Sequence, residues 1–170
     1  MTVIKQTTDK THFMKRGSII FLQAVIVLIG IGAFSVMLWE PHIEGRNVNA
    51  TLFEIYFNDP FLAYAYIASI PFFAALCQGF KLLGFAGQNN AFSRETVKAF
   101  RTIKYCAISI IGFAALGEIF IMLTESDDRA GGVFIGILII LGSLVTAAAA
   151  NVLEGIFQNG INLKSENENK

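Results

Sequence analysis

The chain has 170 residues, of which 54% are hydrophobic and only 15% are charged. Its 13 basic residues balance its 13 acidic residues, so the total charge is uninformative, but the composition excludes an ordinary soluble domain. The hydrophobic residues are gathered into long stretches, and the lengths of these stretches indicate the class of protein.

Four apolar stretches are each long enough to cross a bilayer. About 20 apolar residues in a helix span roughly 30 Å of hydrocarbon, and a helix satisfies its backbone hydrogen bonds without water. The sequence therefore predicts an all-α integral membrane four-helix bundle that forms a single transmembrane domain over residues 1–170. The predicted spans are residues 17–39, 61–85, 103–123 and 131–153.

The basic residues predict the orientation of these spans. All but two of them lie before the first span, around the connection between the second and third spans, or after the fourth. The other two connections contain only Arg46 and Arg129. The positive-inside rule therefore predicts cytoplasmic N and C termini, in a multi-pass protein of the bacterial cytoplasmic membrane.

The first span is expected to stay in the mature protein, because its apolar run continues to Trp39 and is longer than a signal-peptide core. In the outer loop that follows, Leu52, Ile55 and Tyr56 recur at helical spacing. This spacing, with the neighbouring aromatic residues, predicts a short interfacial helix there.

A cytoplasmic amphipathic helix is predicted over residues 93–102, directly before the third span. Ser93 is a suitable N-cap, and Arg94, Lys98 and Arg101 supply its basic side chains. These cations suit a protein partner, and they suit the anionic headgroups of the lipid bilayer equally well.

Glu118 is the most unusual residue of the third span, because it lies about five residues, or roughly 7 Å, inside the outer end of the helix. An acid at this depth is costly and tends to face the bundle interior. Candidate partners at its depth are Ser35, Tyr66 and Ser69. Glu118 is interpreted as a site for proton or cation movement or ligand binding, or as a protonated acid that makes one interhelical hydrogen bond.

The fourth span carries a stripe of small residues, which let membrane helices approach closely. We interpret the stripe as packing inside the bundle, with a homo-oligomer face as the alternative. Its members include Gly132, Gly136, Ser143 and Ala147.

Polar residues of the second and fourth spans are predicted to lie at similar depth near the cytoplasm. These intramembrane candidates are Gln78, Lys81, Asn151 and Glu154. One hypothesis is an ion pair between Lys81 and Glu154. The alternative is that the two side chains reach the inner surface separately.

Residues 154–170 form the predicted cytoplasmic tail. Its first part, to Leu163, is expected to continue the fourth helix, and the polar residues from Ser165 to Lys170 are expected to be disordered.

No arrangement of residues indicates catalysis. The sequence has no Walker A motif, no H-E-x-x-H and no nucleophile elbow. We therefore expect no enzyme activity, no catalytic residue, no metal, no cofactor and no direct nucleic-acid binding.

Two segments resemble a bacterial four-span membrane family called domain of unknown function 2975. Residues 91–97 with 100–103 are similar to the family's segment before its third helix, and residues 131–166 are similar to its fourth helix and acidic tail. The family tail usually closes on an Asp-Leu-Thr-Val-like ending, whereas this chain ends at Asn167 to Lys170, which puts any partner contact of that ending in doubt. The resemblance implies no catalytic residues, and it implies a cytoplasmic helix-turn-helix transcriptional regulator as partner.

The leading functional hypothesis is therefore a non-enzymatic membrane accessory that binds or antagonises such a regulator through the basic segment and the tail. The alternative is a small transporter or channel subunit in which Glu118 is the intramembrane proton or cation site.

Overall fold

Long α-helices make up the protein. The computed structural model describes residues 2–43, 51, 53, 60–87, 92–123 and 129–168. Within these ranges the helices are α1 (Thr2–Ile43), α2 (Pro60–Gly87), α3 (Arg94–Leu123) and α4 (Arg129–Glu168). The predicted all-α architecture is confirmed.

Each helix contains a segment long and apolar enough to cross a membrane. These segments are Arg16–Trp39, Pro60–Gly87, Arg94–Leu123 and Ala130–Glu166. Many large apolar side chains point away from the protein, including Phe21 at 67% exposure and Val145 at 70%. Apolar surface this extensive is explained by contact with lipid tails.

The helices pack mainly against their neighbours in sequence, with α1 on α2, α2 on α3 and α3 on α4. The α3–α4 interface is the most extensive. Within the described chain, α2 and α4 share no extensive interface, because both pack on α3. Successive helices are antiparallel, as shown by contacts such as Gly87 with Ile19 and Gly132 with Ile121.

The bundle therefore has two ends. We call the end that contains the last turns of α2 and α4 and the first turns of α3 the terminal end. The other end contains the last turns of α3 and the first turns of α2 and α4. The interfacial helix predicted for the first outer loop lies outside the described residues, except for Thr51 and Phe53.

The start of α3 is capped as predicted. The Thr96 amide donates a hydrogen bond to Ser93 Oγ at 3.2 Å, and the Val97 amide donates to the Ser93 carbonyl at 3.3 Å. These contacts satisfy amides that the first turn of a helix leaves unpaired. The predicted amphipathic segment 93–102 and the third span are thus one continuous helix.

The end of α4 differs from expectation. Residues Ser165 to Lys170 were predicted to be disordered, but Ser165 to Glu168 continue the helix. The physical reason is that a helix already formed gains one backbone hydrogen bond for each residue added, without a new nucleation step.

Candidate functional site

Glu154 of α4 lies between two cations of α3 at the terminal end. Arg101 Nε donates to Glu154 Oε1, and Lys104 Nζ donates to Glu154 Oε2, each at 2.6 Å. Lys104 Nζ also donates to Asn151 Oδ1 at 3.3 Å. The side chain of Glu154 is only 12% exposed, so both carboxylate oxygens are neutralised where little water reaches them.

The hypothesis of a Lys81–Glu154 ion pair is wrong. Lys81 is exposed on α2 and forms no ion pair within the described part of the chain. Gln78, also on α2, is half-buried and does not join the cluster. The physical reason is the order of the helices: α3 lies between α2 and α4, so it separates Lys81 from Glu154.

The sequence analysis predicted neither partner of Glu154: Arg101 was expected only as part of a basic surface, and Lys104 was not singled out. A signal for it exists in the sequence. Lys104 and Asn151 lie a similar number of residues from the short α3–α4 connection, so antiparallel packing brings them to the same level. For two helices joined by a short connection, the number of residues between each side chain and that connection predicts which side chains meet. Depth in the membrane alone does not.

An aromatic cluster extends the α3–α4 contact beyond the ion pairs. The ring of Phe157 lies 5.2 Å from that of Phe92 and 5.3 Å from that of Phe100. Gly160 permits this packing, because a Cβ atom there would be 2.7 Å from Phe92 Cε1. We call residues 92–104 and 151–168 together the terminal platform.

The predicted basic surface is only partly free on this platform. Arg94 and Lys98 are exposed. Arg101 is committed to Glu154, although 54% of its side chain remains exposed. The exposed cations of the platform that form no ion pair with a described residue are Arg94 and Lys98, on the first turns of α3, and Lys164 near the end of α4.

A cleft of about 560 Å³ lies towards the other end of the bundle, where α2 and α4 flank α3. Its walls are mostly apolar and aromatic, and include Phe61, Phe72 and Phe113. Tyr64, Ser69 and Glu118 are its polar lining residues. Of these, only Glu118 carries an acidic group.

Glu118 is 9% exposed, and its Oε2 atom is buried without a hydrogen-bond partner among the residues that the structure describes. Its carboxyl group lies against Gly136 of α4. A Cβ atom at position 136 would overlap Oε1 and lie 2.6 Å from Cδ of Glu118. The absence of a side chain at position 136 is therefore what makes room for this acid.

The hydroxyl groups predicted to partner Glu118 form other bonds. The Tyr66 hydroxyl donates to the Met37 carbonyl at 3.2 Å, and Ser69 Oγ donates to the Tyr66 carbonyl at 2.7 Å. Ser35 is exposed on α1. In the described ranges, Glu118 thus lacks the single interhelical hydrogen bond that was one interpretation of it.

The stripe of small residues on α4 includes close contacts to α3. Gly132 lies against Ile121, where a Cβ atom would be 3.2 Å from the Ile121 side chain, and Gly136 lies against Glu118. Ser143 is also buried, and Ala147 is half-buried. These glycines allow α3 and α4 to approach each other closely.

The sequence matches the family described as "Protein of unknown function (DUF2975)" over residues 47–169. The chain belongs to this family. It is also 40% identical over 159 residues to the protein named "Uncharacterized membrane protein YoaS" of Bacillus subtilis (strain 168), covering 91% of this chain and 98% of that protein. No solved structure matches the chain. The family resemblance predicted from two segments is confirmed.

As a DUF2975 protein, the chain is a multi-pass membrane protein of a family whose activity is not known. The family match begins at residue 47, after α1, and includes the terminal platform and all of the cleft except Met37. Within the described residues, no group of three His, Cys, Asp or Glu side chains is placed to hold a metal ion. Nothing in the match to this family points to catalysis.

Proposed function

We propose that the protein is a non-enzymatic membrane accessory that holds a soluble partner at the cytoplasmic surface, and that this partner is a small helix-turn-helix regulator. The observation that carries the proposal is the terminal platform, in which two helices remain packed together beyond the length that a membrane requires.

The first supporting step is length. The 40 residues of α4 extend over about 60 Å, roughly twice the thickness of the hydrocarbon core. The polar residues of α4 are concentrated after Asn151, so the excess length lies at the terminal end. This end is cytoplasmic in the predicted orientation.

The second step is rigidity. Two ion pairs and two aromatic contacts hold the end of α4 on the start of α3. A surface ordered before binding loses less conformational entropy when a partner docks. The platform is therefore better suited to protein recognition than a disordered tail.

The third step is charge. Arg94 and Lys98 are one turn apart on α3, so both project from the same face of the helix. They favour an acidic surface on the partner. The DNA-binding face of a regulator is basic, so the regulator would dock through a different face.

The test is in-cell crosslinking followed by purification in mild detergent and mass spectrometry. We expect a stoichiometric DNA-binding protein with the wild-type chain. The double variant Arg94→Ala/Lys98→Ala should recover roughly three- to tenfold less of it, as expected for two exposed charges. Lys81→Ala is the matched control, because Lys81 is an exposed cation outside the platform.

Recovery of only the chain and anionic lipid would contradict the accessory proposal and leave the basic residues as lipid contacts. Equal recovery from the double variant and from Lys81→Ala would also contradict it, since the platform would then not be the docking surface.

A second candidate is a small transporter or channel subunit, and the observation that favours it is the unpartnered carboxyl group of Glu118 beside the cleft. This candidate expects proton or cation flux into proteoliposomes that Glu118→Gln abolishes. Flux that is unaffected by the substitution would exclude it.

A further inference from the structure

We propose that the cleft beside Glu118 binds a lipophilic cation, meaning an ammonium or other onium group on an apolar or aromatic body, with Glu118 as its counter-ion. The inference is independent of the accessory role. It names a ligand class for the site on which the second candidate function depends, and it concerns binding without requiring transport.

The charge in the cleft is the first argument. Glu118 contributes a carboxyl group, and no Lys, Arg or His is among the described lining residues. Its Oε2 atom has no hydrogen-bond donor in the described chain. Because a buried polar atom without a partner is costly, a ligand that supplies positive charge there gains more than one that does not.

The second argument is that the other polar groups of the cleft are already used. The Tyr64 hydroxyl donates to the Phe113 carbonyl, and Ser69 Oγ donates to the Tyr66 carbonyl. Each hydroxyl proton is thus directed at the backbone and away from a ligand. A sugar or an anion would find few donors, so the chemistry of the cleft disfavours both.

The aromatic rings are the third argument. Phe61 stacks on Phe120 with ring centroids 5.5 Å apart, and Tyr64 meets Phe113 edge-on at 5.9 Å. Ring faces attract cations, and the rings also offer contact area to an apolar body. The cleft volume of about 560 Å³ lies in the range of sites for drug-sized molecules.

The experiment is equilibrium dialysis of the purified chain in lipid nanodiscs, with binding to empty nanodiscs subtracted. The probes are tetraphenylphosphonium and tetraphenylborate, which have the same shape and opposite charge. We expect saturable binding of the phosphonium, and binding of the borate at least about tenfold weaker, because only the cation is attracted to the carboxylate.

Glu118→Gln keeps the size of the side chain and removes its charge, so it should weaken phosphonium binding at least about tenfold. Glu95→Gln is the matched control, because Glu95 is an exposed acid on the same helix and does not line the cleft. Glu118→Asp retains the charge, and should still bind the phosphonium in preference to the borate. This second variant keeps the test decisive if Glu118→Gln does not fold.

The proposal is overturned if the wild-type chain does not bind the phosphonium, if it binds both probes equally, or if Glu118→Gln binds as tightly as Glu95→Gln. Binding that depends on Glu118, combined with no flux in proteoliposomes, would remove the transport candidate and leave the binding site in place.

Discussion

At the scale of single residues, two acids at the α3–α4 interface, one buried and one half-buried, have opposite surroundings. Glu154 receives hydrogen bonds from Arg101 and Lys104. Glu118 receives none to its buried Oε2 atom from any residue that the structure describes. The first acid links two helices, and the second has a buried oxygen that no described residue pairs. This difference is why we place the ligand site at Glu118.

Lys104 should contribute more to stability than Arg101. Its side chain is 19% exposed, whereas that of Arg101 is 54% exposed, and water screens an exposed ion pair. We expect Lys104→Met to lower the free energy of unfolding by about 1 to 2 kcal/mol, because it leaves Glu154 less well paired. Thermal unfolding in detergent would measure this loss.

Lys98→Met is the control for that prediction, because Lys98 is exposed on the same helix and its ammonium group forms no ion pair in the described structure. Exchanging the charges, with Lys104→Glu and Glu154→Lys together, should recover part of the stability lost in the single variants. Coupling of Glu154 to Lys81 instead of Lys104 would contradict the observed helix order.

At the scale of helices, the packing of α4 on α3 depends on particular glycines. Gly136 accommodates the carboxyl group of Glu118, whereas a Cβ atom at Gly142 would contact nothing within 4 Å. Both glycines lie within the same apolar helix. They therefore form a natural pair for separating interhelical packing from helix propensity.

Gly136→Ala should destabilise the protein by about 1 to 3 kcal/mol, because the Glu118 side chain must move within a packed interface. Gly142→Ala should be neutral or stabilising by up to about 1 kcal/mol, because alanine favours a helix more than glycine does. The midpoints of thermal unfolding of the two variants would be compared in the same detergent. Equal midpoints would mean that Gly136 is not required at the interface.

At the scale of the whole molecule, α3 contributes residues to both candidate sites. It packs against both α2 and α4, while α1 packs on α2. The two candidate sites lie towards opposite ends of α3. The terminal platform uses the first turns of α3, and Glu118 lies near its last turns. A change at one site can therefore be tested without altering the residues of the other.

The orientation of the molecule is testable by cysteine labelling in intact cells. With Cys77 and Cys106 replaced by alanine, a membrane-impermeant maleimide should label Ala130→Cys and leave Lys164→Cys unlabelled until the cells are opened. The physical reason is the concentration of basic residues at the terminal end, which predicts a cytoplasmic location. The reverse pattern would place the platform outside the cell and exclude a cytoplasmic partner.

Hydropathy and local spacing are sufficient to predict the four helices and the Ser93 cap of α3. They are properties of short segments, since a helix in lipid needs about 20 apolar residues and internal hydrogen bonds whatever its neighbours are. The end of α4 was less predictable, because its polar composition indicated disorder from Ser165 onward although the helix continues to Glu168. Composition describes how well a segment can bury surface, but not how far a packed helix propagates.

The surroundings of Glu154 and Glu118 depended on which helices are neighbours. Depth along the membrane placed Lys81 and Glu154 at the same level, and it contained no information on lateral order. Close packing of α4 on α3 gives Glu154 the partners Arg101 and Lys104. The same packing places Glu118 against Gly136, while the Tyr66 and Ser69 hydroxyl groups that the sequence suggested as its partners donate to backbone carbonyls. Helix order arises from contacts between distant parts of the chain, so periodicity along one segment does not reveal it.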